Sequence, residues 1–325
     1  MANRETKPRV GGPEVSTRDL FRLDGRTVLI TGGTGALGLE VAGSVLESGG
    51  DVICIDLPEL PPEAGWTKVQ AIAETHGTRA TYYSCDVTDA DRLRFLFEET
   101  MPKTRYPLRG VVTCAGVSGR VPAVDYPVDD FRRIVDINLV GTFIVAQAAA
   151  REMRNQNVSG SIVLVASMSG WGSNKGLDTS AYNSSKSAVL QLGRSLAAEW
   201  GSRQGHPSIR VNTISPGYIK TRLTAESLAK PTQEQVWSAE NMLNRISTTD
   251  EYRAPIIFLL ADGSSFMTGA DLRIDGGHRS CESMNELHSE SYGLVKNVPI
   301  SKHWKWKRST IARSDMPRSA EYLDL

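Results

Sequence analysis

Net charge is the first thing missing: Lys+Arg and Asp+Glu are both 37 in a chain of 325 residues. A balanced surface has no bulk electrostatic pull toward nucleic acid or an anionic membrane, so neither is expected as a partner. Cysteine is scarce and unpaired. Cys54, Cys85, Cys114 and Cys281 form no C-x-x-C, which argues against a disulfide framework or a zinc ribbon and suits buried thiols in a reducing compartment, with a cytoplasmic location expected. The five histidines include no close pair, so no metal site is expected. No uninterrupted apolar run reaches the roughly 18 to 20 residues of a membrane span. Residues 1–22 mix charge with Pro and Gly around no apolar core, and are expected to form a flexible arm rather than a secretory signal.

Against these absences stands a strand, a glycine turn and a helix. TVLI leads into TGGTGALG, and LEVAGSVLESGG follows with apolar residues at helical spacing. Gly32, Gly33, Gly35 and Gly38 let backbone approach a diphosphate, and the helix N-terminus offers free amides and partial positive charge. A tight turn without a ligand would look the same. The next apolar segment, DVICID, ends in Asp56, at the distance where dinucleotide folds place an acid against the adenosine ribose. A carboxylate there accepts from two hydroxyls and repels a 2′-phosphate, which favours NAD over NADP, with NADP possible. The alternative is a solvated acid at a strand end.

Strands and helices then alternate. PPEAGWTKVQAIAETHG reads as a helix, ATYYSCDV as a strand, TDADRLRFLFEETM as a helix and LRGVVTCAG as a strand with its turn. The pattern predicts an α/β fold: one doubly wound Rossmann-type domain over 23–277, its central parallel sheet flanked by helices. Asp56, Asp86 and Gly116 fall at carboxyl ends of strands, where such sheets bind ligands. Asp86 with Val87 could meet an adenine, or Asp86 could serve as an N-cap-like acid. DDFRRIVDINLVGTFIVAQAAAREMRN reads as one long amphipathic helix in which the Asn138 amide must find partners.

GSIVLVAS delivers Ser167 at a strand end, and AYNSSKSAVLQLGRSLAAEW carries Tyr182 and Lys186 four apart on one helical face. A lysine cation beside a phenol is expected to lower its pKa from about 10 and make it an acid and base near neutral pH. A surface pair is the plain alternative.

In order along the chain, TGGTGALG, CDV, CAG, the Asn of DINLVGTF, ASMSG, YNSSK, SPGYIKT and TGADLRIDGG resemble the short-chain dehydrogenase/reductase family from about Leu23 to Gly277. The resemblance looks nearest to fungal polyol dehydrogenases and ketose reductases. It implies an NAD(P)-dependent oxidoreductase on a secondary alcohol or ketone, whether a polyol, a ketose or a bulkier secondary-metabolite carbonyl. Ser167 would polarise the substrate oxygen, Tyr182 exchange the proton, and Lys186 lower the tyrosine pKa and hold the nicotinamide ribose. Asn138 would hold a water linking Lys186 to solvent. The implied cofactor set is Gly32, Thr34, Gly35, Leu37, Gly38, Asp56, Asp86, Val87, Ala115, Gly116, Asn138, Tyr182, Lys186, Ile219 and Thr221. It also implies a homo-dimer or homo-tetramer. A catalytically silent nucleotide-binding regulator, or an epimerase or dehydratase of the same fold, would share these motifs.

The chain departs from the family at three points. Ala36 stands where the second glycine of TGxxxGxG belongs, T-C-A-G replaces N-N-A-G, and Ser167 precedes Tyr182 by fifteen rather than thirteen, so Ser169 is a fallback for Ser167. The segment 222–249 corresponds to the family's substrate lid. Leu223, Leu228, Val236, Trp237 and Met242 are candidates for its lining, with Trp171 and Asn174 from the loop before Tyr182. The tail 278–325, with basic and aromatic KHWKWKR, is expected to be mobile or packed on a partner subunit.

Overall fold

The computed structural model describes residues 15–174 and 176–280. Seven strands form one parallel sheet: β1 (Thr27–Thr31), β2 (Asp51–Asp56), β3 (Ala80–Ser84), β4 (Leu108–Thr113), β5 (Gly160–Val165), β6 (Ile209–Pro216) and β7 (Asp271–Ile274), in the order β3-β2-β1-β4-β5-β6-β7. The central strands are apolar throughout because both faces are covered. Val28 and Ile30 face one core with Val41, Val45, Ile256 and Leu260, while Leu29 faces the other with Leu93, Val145, Ala149 and Val189. The period of two in a strand puts successive residues into opposite cores.

The first core is covered by α1 (Ala36–Glu47), α2 (Glu63–His76) and α9 (Arg253–Leu260), and the second by α3 (Ala90–Thr100), α5 (Thr142–Asn155) and α6 (Ser180–Trp200). Strand order runs outward from β1 to β3 and then restarts on the other side at β4. That reversal opens a crevice beyond the carboxyl ends of β1 and β4, the usual ligand position in such sheets.

The expected long helix is three segments: α4 (Val128–Val135), a π-helical stretch Asp136–Gly141, and α5. The wider turn carries Asn138, and such π segments gather at functional sites. The run Val128–Asn155 is long and apolar enough to cross a bilayer, but Val145, Ala146, Ala149, Ala150 and Met153 sit wholly in the domain core. In the lid segment, α7 (Arg222–Leu228) and α8 (Gln233–Ala239) are separated at Thr232, whose φ is +66°. Of the expected arm, the described residues 15–22 are mostly exposed and touch the domain at the short turn Asp19–Phe21, with Phe21 against Phe258. Residues 1–14 and 281–325, including KHWKWKR and Cys281, lie outside the described residues.

Candidate active site

A cleft of about 640 Å³ lies at the carboxyl edge of the sheet, lined at one end by the glycine turn and at the other by Ser167, Tyr182 and the lid. Its nucleotide end is shaped by close backbone approach. A Cβ on Gly38 would lie 2.2 Å from the Gly32 carbonyl oxygen, and one on Gly33 would lie 2.6 Å from Cβ of Cys54. Gly32, with φ +61°, leaves no room against Ala115. Gly35 meets only the Gly32 oxygen at 3.2 Å. It faces the cleft as N-cap of α1 and makes no side-chain cap, so the first-turn amides remain available to an anion. Ala36 and Leu37 join that lining. This bare, cationic-poled cradle suits a dinucleotide diphosphate.

Asp56 is held at the rim of the turn. One carboxylate oxygen accepts from the Thr34 amide (3.0 Å) and hydroxyl, and the other accepts from the Leu57 amide at 2.9 Å. Asp86 differs from the capping reading: it accepts from the amide and hydroxyl of Thr88, and Asp89 caps α3 by accepting from Arg92. A cap must lie next to the first helical turn, and Asp86 is one loop too early. Val87 is buried beneath the π segment, where a Cβ on Gly141 would lie 2.7 Å from it.

Asn138 is fully buried. Its Oδ1 accepts from the Val117 amide (2.8 Å), and Nδ2 donates to the Val117 carbonyl (2.9 Å) and to Oγ of Ser185 (3.0 Å). The side chain therefore binds the turn after β4 to α6. Gly116 completes the packing, since a Cβ there would lie 3.2 Å from Oδ1 of Asn138 and 3.5 Å from Nζ of Lys186. Asn138→Ala orphans the Val117 amide, and we expect a stability loss of about 1–3 kcal/mol, read as a lower urea midpoint. An unchanged midpoint would show that the Val117 turn does not depend on this side chain.

At the chemical end, β5 delivers Ser167 as N-cap of a short turn, Met168–Gly170, which lies against the backbone of Lys186 because Gly170 has no side chain. Ser167 Oγ accepts from the Ser169 amide (3.1 Å), and the Ser167 hydroxyl is the polar group that draws the Tyr182 pKa downward, beside it in the cleft. The Ser169 hydroxyl instead accepts from Asn174 Nδ2 at 2.7 Å. Both serines line the cleft, but the Ser169 hydroxyl is engaged by Asn174, while Ser167 is the one that acts on the phenol. Lys186 Nζ lies 5.8 Å from the Tyr182 ring centroid and donates to the Val165 carbonyl at 2.8 Å.

The pKa expectation needs correction. Burial raises Tyr182, and the Ser167 hydrogen bond is what acts downward. Burial also lowers Lys186 to about 8. The i,i+4 spacing does put both groups on one face, but Lys186 is buried there and Tyr182 half-buried, and desolvation is the leading cause of both shifts. Cys114 lies beside Lys186, its own thiol pushed up to about 12 by burial.

Of the expected lid contacts, Leu223 and Trp237 line the cleft, as does Asn174. Val236 and Met242 are exposed, and Leu228 is not in the lining. Trp171 turns away, donating from Nε1 to Asp271 and packing under Arg273. Ile219 and Thr221 line the floor, Thr221 also forming the capping box of α7. Sequence reading missed Arg120, Leu177 and Tyr218. Tyr218 stacks on Trp237 with ring centroids 3.9 Å apart and an interplanar angle of 3°. Its signal was the run PGY after β6, directly past the glycine turn of the strand end.

A parallel doubly wound sheet, a diphosphate cradle and a serine, phenol and amine at one cleft define an NAD(P)-binding oxidoreductase fold. The family described as enoyl-(acyl carrier protein) reductase matches residues 33–279. The chain is 57% identical over 277 residues to the short chain dehydrogenases/reductase notP′ of Aspergillus versicolor, covering 85% of this chain and 95% of that protein. It is 34% identical over 268 residues to a ribulose-forming D-arabinitol 2-dehydrogenase of Candida tropicalis, with 79% and 94% covered. Among solved structures, the NADPH-dependent 3-quinuclidinone reductase of Rhodotorula rubra matches with TM-score 0.73 and 31% identity over 86% of this chain and all of that one. The chain belongs to the short-chain dehydrogenase/reductase family and is a dehydrogenase/reductase acting on CH-OH groups.

Proposed function

We propose that the protein interconverts a secondary alcohol and a ketone with a nicotinamide dinucleotide, Tyr182 exchanging the oxygen-bound proton. The observation that carries this reading is the convergence of Ser167, Tyr182 and Lys186 at one end of a cleft whose other end is the glycine cradle. The bound cofactor would supply or accept the hydride. Gly32, Thr34, Gly35, Leu37, Gly38, Asp56, Ala115, Gly116, Ile219 and Thr221 would form its seat, with Asp86 and Val87 bounding the adenine end. Ser167 and Tyr182 donate hydrogen bonds to the substrate oxygen, so charge developing there is met by dipoles already in place. Burial keeps the Tyr182 phenol protonated at neutral pH, ready to give its proton to a forming alkoxide. Lys186, cationic below about pH 8, steadies the phenolate that results. Asn138 acts by holding the Val117 turn and α6 in register.

For the substrate we favour a carbonyl compound bulkier than a linear ketose, such as a secondary metabolite. The Tyr218–Trp237 stack with Leu177 and Leu223 offers a flat apolar wall for a ring, and polar side chains such as Asn174 and Arg120 in the same lining would fix its orientation. A panel of cyclic and aromatic ketones and of ketoses, assayed with NADH and NADPH, tests both levels. Preference for bulky ketones supports the substrate reading, preference for ketoses overturns it, and no cofactor turnover with any compound overturns the reaction. A homo-dimer or homo-tetramer is our further reading, open to light scattering, and cytoplasmic residence follows the same proposal.

Asp56 supports NAD as the preferred cofactor, since the carboxylate fixed by Thr34 would face a 2′-phosphate with like charge. Asp56→Asn is expected to raise the ratio of NADPH to NADH kcat/KM by about tenfold or more, or about 1.4 kcal/mol. An unchanged ratio would remove Asp56 from cofactor choice.

A further inference from the structure

We propose that Arg279, from beyond the last strand, is a positioning residue that holds the Ser167 loop in its working shape. This rests on the reading of Ser167 as the group that binds the substrate oxygen. The loop from Ser167 to Thr179 joins β5 to α6, and its described residues carry little regular structure beyond one short turn. Left alone, such a loop would sample many positions, and Ser167 would meet the phenol only part of the time. Arg279 gathers it. Nε donates to the Met168 carbonyl (3.2 Å), Nη1 to the Ser173 carbonyl (3.1 Å), and Nη2 to the Gly172 carbonyl and to Oδ1 of Asn174 (2.7 Å).

Four acceptors spread over seven residues of one loop thus converge on one planar guanidinium, a task its rigid fork of donors fits and a lysine ammonium does not. The contact is close: a Cβ on Gly172 would lie 3.1 Å from Nη1. Arg279 is itself fixed, because its amide donates to the buried Asp275 carboxylate at 2.9 Å, which also accepts from the Gly277 amide.

The clamp reaches the chemistry in three hydrogen bonds. Arg279 sets the amide of Asn174, Asn174 Nδ2 donates to Ser169 Oγ, and the Ser169 amide donates to Ser167 Oγ. With the Ser167 oxygen engaged by that amide, its own proton is directed elsewhere, toward the phenol and the substrate oxygen. Arg279 touches no reacting group, so its effect should fall on turnover and not on cofactor binding.

The test compares the full chain with Arg279→Ala, Arg279→Lys and Asn174→Ala, using hydrogen–deuterium exchange of residues 168–178, NADH titration by fluorescence, and steady-state kinetics on the best ketone of the panel. Circular dichroism confirms folding, and Tyr182→Phe serves as the blank. Arg279→Ala should exchange faster in the loop, lose about ten- to a hundredfold in kcat, a typical cost of misplacing a reacting group, and keep the cofactor Kd. Millimolar guanidinium should restore part of the lost kcat. Arg279→Lys should remain impaired and Asn174→Ala should lose less.

Wild-type exchange and kcat in Arg279→Ala or Arg279→Lys would overturn the proposal, as would equal losses in cofactor binding and kcat. If Arg279→Ala does not fold, Arg279→Lys and Asn174→Ala decide by the same readouts. A wild-type chain that binds NADH and turns over nothing would refute the oxidoreductase reading instead, and loop exchange would still judge the clamp.

Discussion

Tyr182→Phe is expected to lower kcat about a thousandfold, within the range for loss of a positioned acid and base, while leaving the fold and NADH binding intact. The phenol is half-buried at the cleft beside the Ser167 hydroxyl, so deleting its own hydroxyl forfeits at most one hydrogen bond and costs about 1 kcal/mol of stability or less. Wild-type alcohol oxidation should also climb with pH, because burial raises Tyr182 above its ordinary value and the base form appears only in alkaline solution. Carbonyl reduction, which uses the protonated phenol, should be active at neutral pH. Steady-state rates in both directions across pH check this; a variant that keeps more than a tenth of wild-type kcat would remove Tyr182 from the proton transfer.

Lys186→Met should do two opposite things: abolish most activity and stabilise the protein at pH 7. The ammonium is buried and donates to the Val165 carbonyl, its one acceptor among the described residues, and burial brings its pKa from 10.5 to about 8. Between those values the unfolded chain holds a proton that the folded chain has released, so folding stability rises with pH through that window. Below about pH 8 the native state bears the full cost of the buried cation, about 3 kcal/mol at 1.36 kcal/mol per pH unit. Methionine removes that cost and forfeits the hydrogen bond, for a net gain of about 1–2 kcal/mol. Urea unfolding at pH 7 and at pH 10 measures it. The advantage of the variant should shrink at the higher pH. A variant less stable than wild type at pH 7, or an advantage that ignores pH, would mean that Lys186 is not held against its solvation preference.

These two predictions meet in one physical fact: the site keeps a cation and a phenol where solvation disfavours the charge of each. Active sites commonly carry such a stability cost, because the perturbed groups are those that can move protons. The neighbouring T-C-A-G turn fits the same picture. Cys114, its thiol buried and neutral, adds no charge beside Lys186, and Gly116 keeps the space that Asn138 and Lys186 fill.

Much of the architecture was legible because it is local. A short β-branched apolar run such as TVLI, stopped by a glycine turn, reads as a strand buried on both faces, and TGGTGALG turns where Gly32 and Gly38 let backbone meet backbone at distances no Cβ permits. The order of motifs along the chain then gave the family and the cleft residues Ser167, Tyr182 and Lys186. The spacing of Tyr182 and Lys186 correctly put them on one helical face.

Other properties arise only when distant segments meet. The choice of Ser167 over Ser169 depends on Asn174 capturing one hydroxyl, and Asn174 is in turn held by Arg279, more than a hundred residues along the chain. The rise of the Tyr182 pKa is a sum over everything packed around it, which an i,i+4 pair does not contain. The sequence by itself determined which elements form and which chemical groups they carry, since those follow from neighbours in the chain. Tertiary structure alone decided how deeply those groups are buried and which partners they keep, because solvent exclusion and hydrogen bonding are properties of the space between elements.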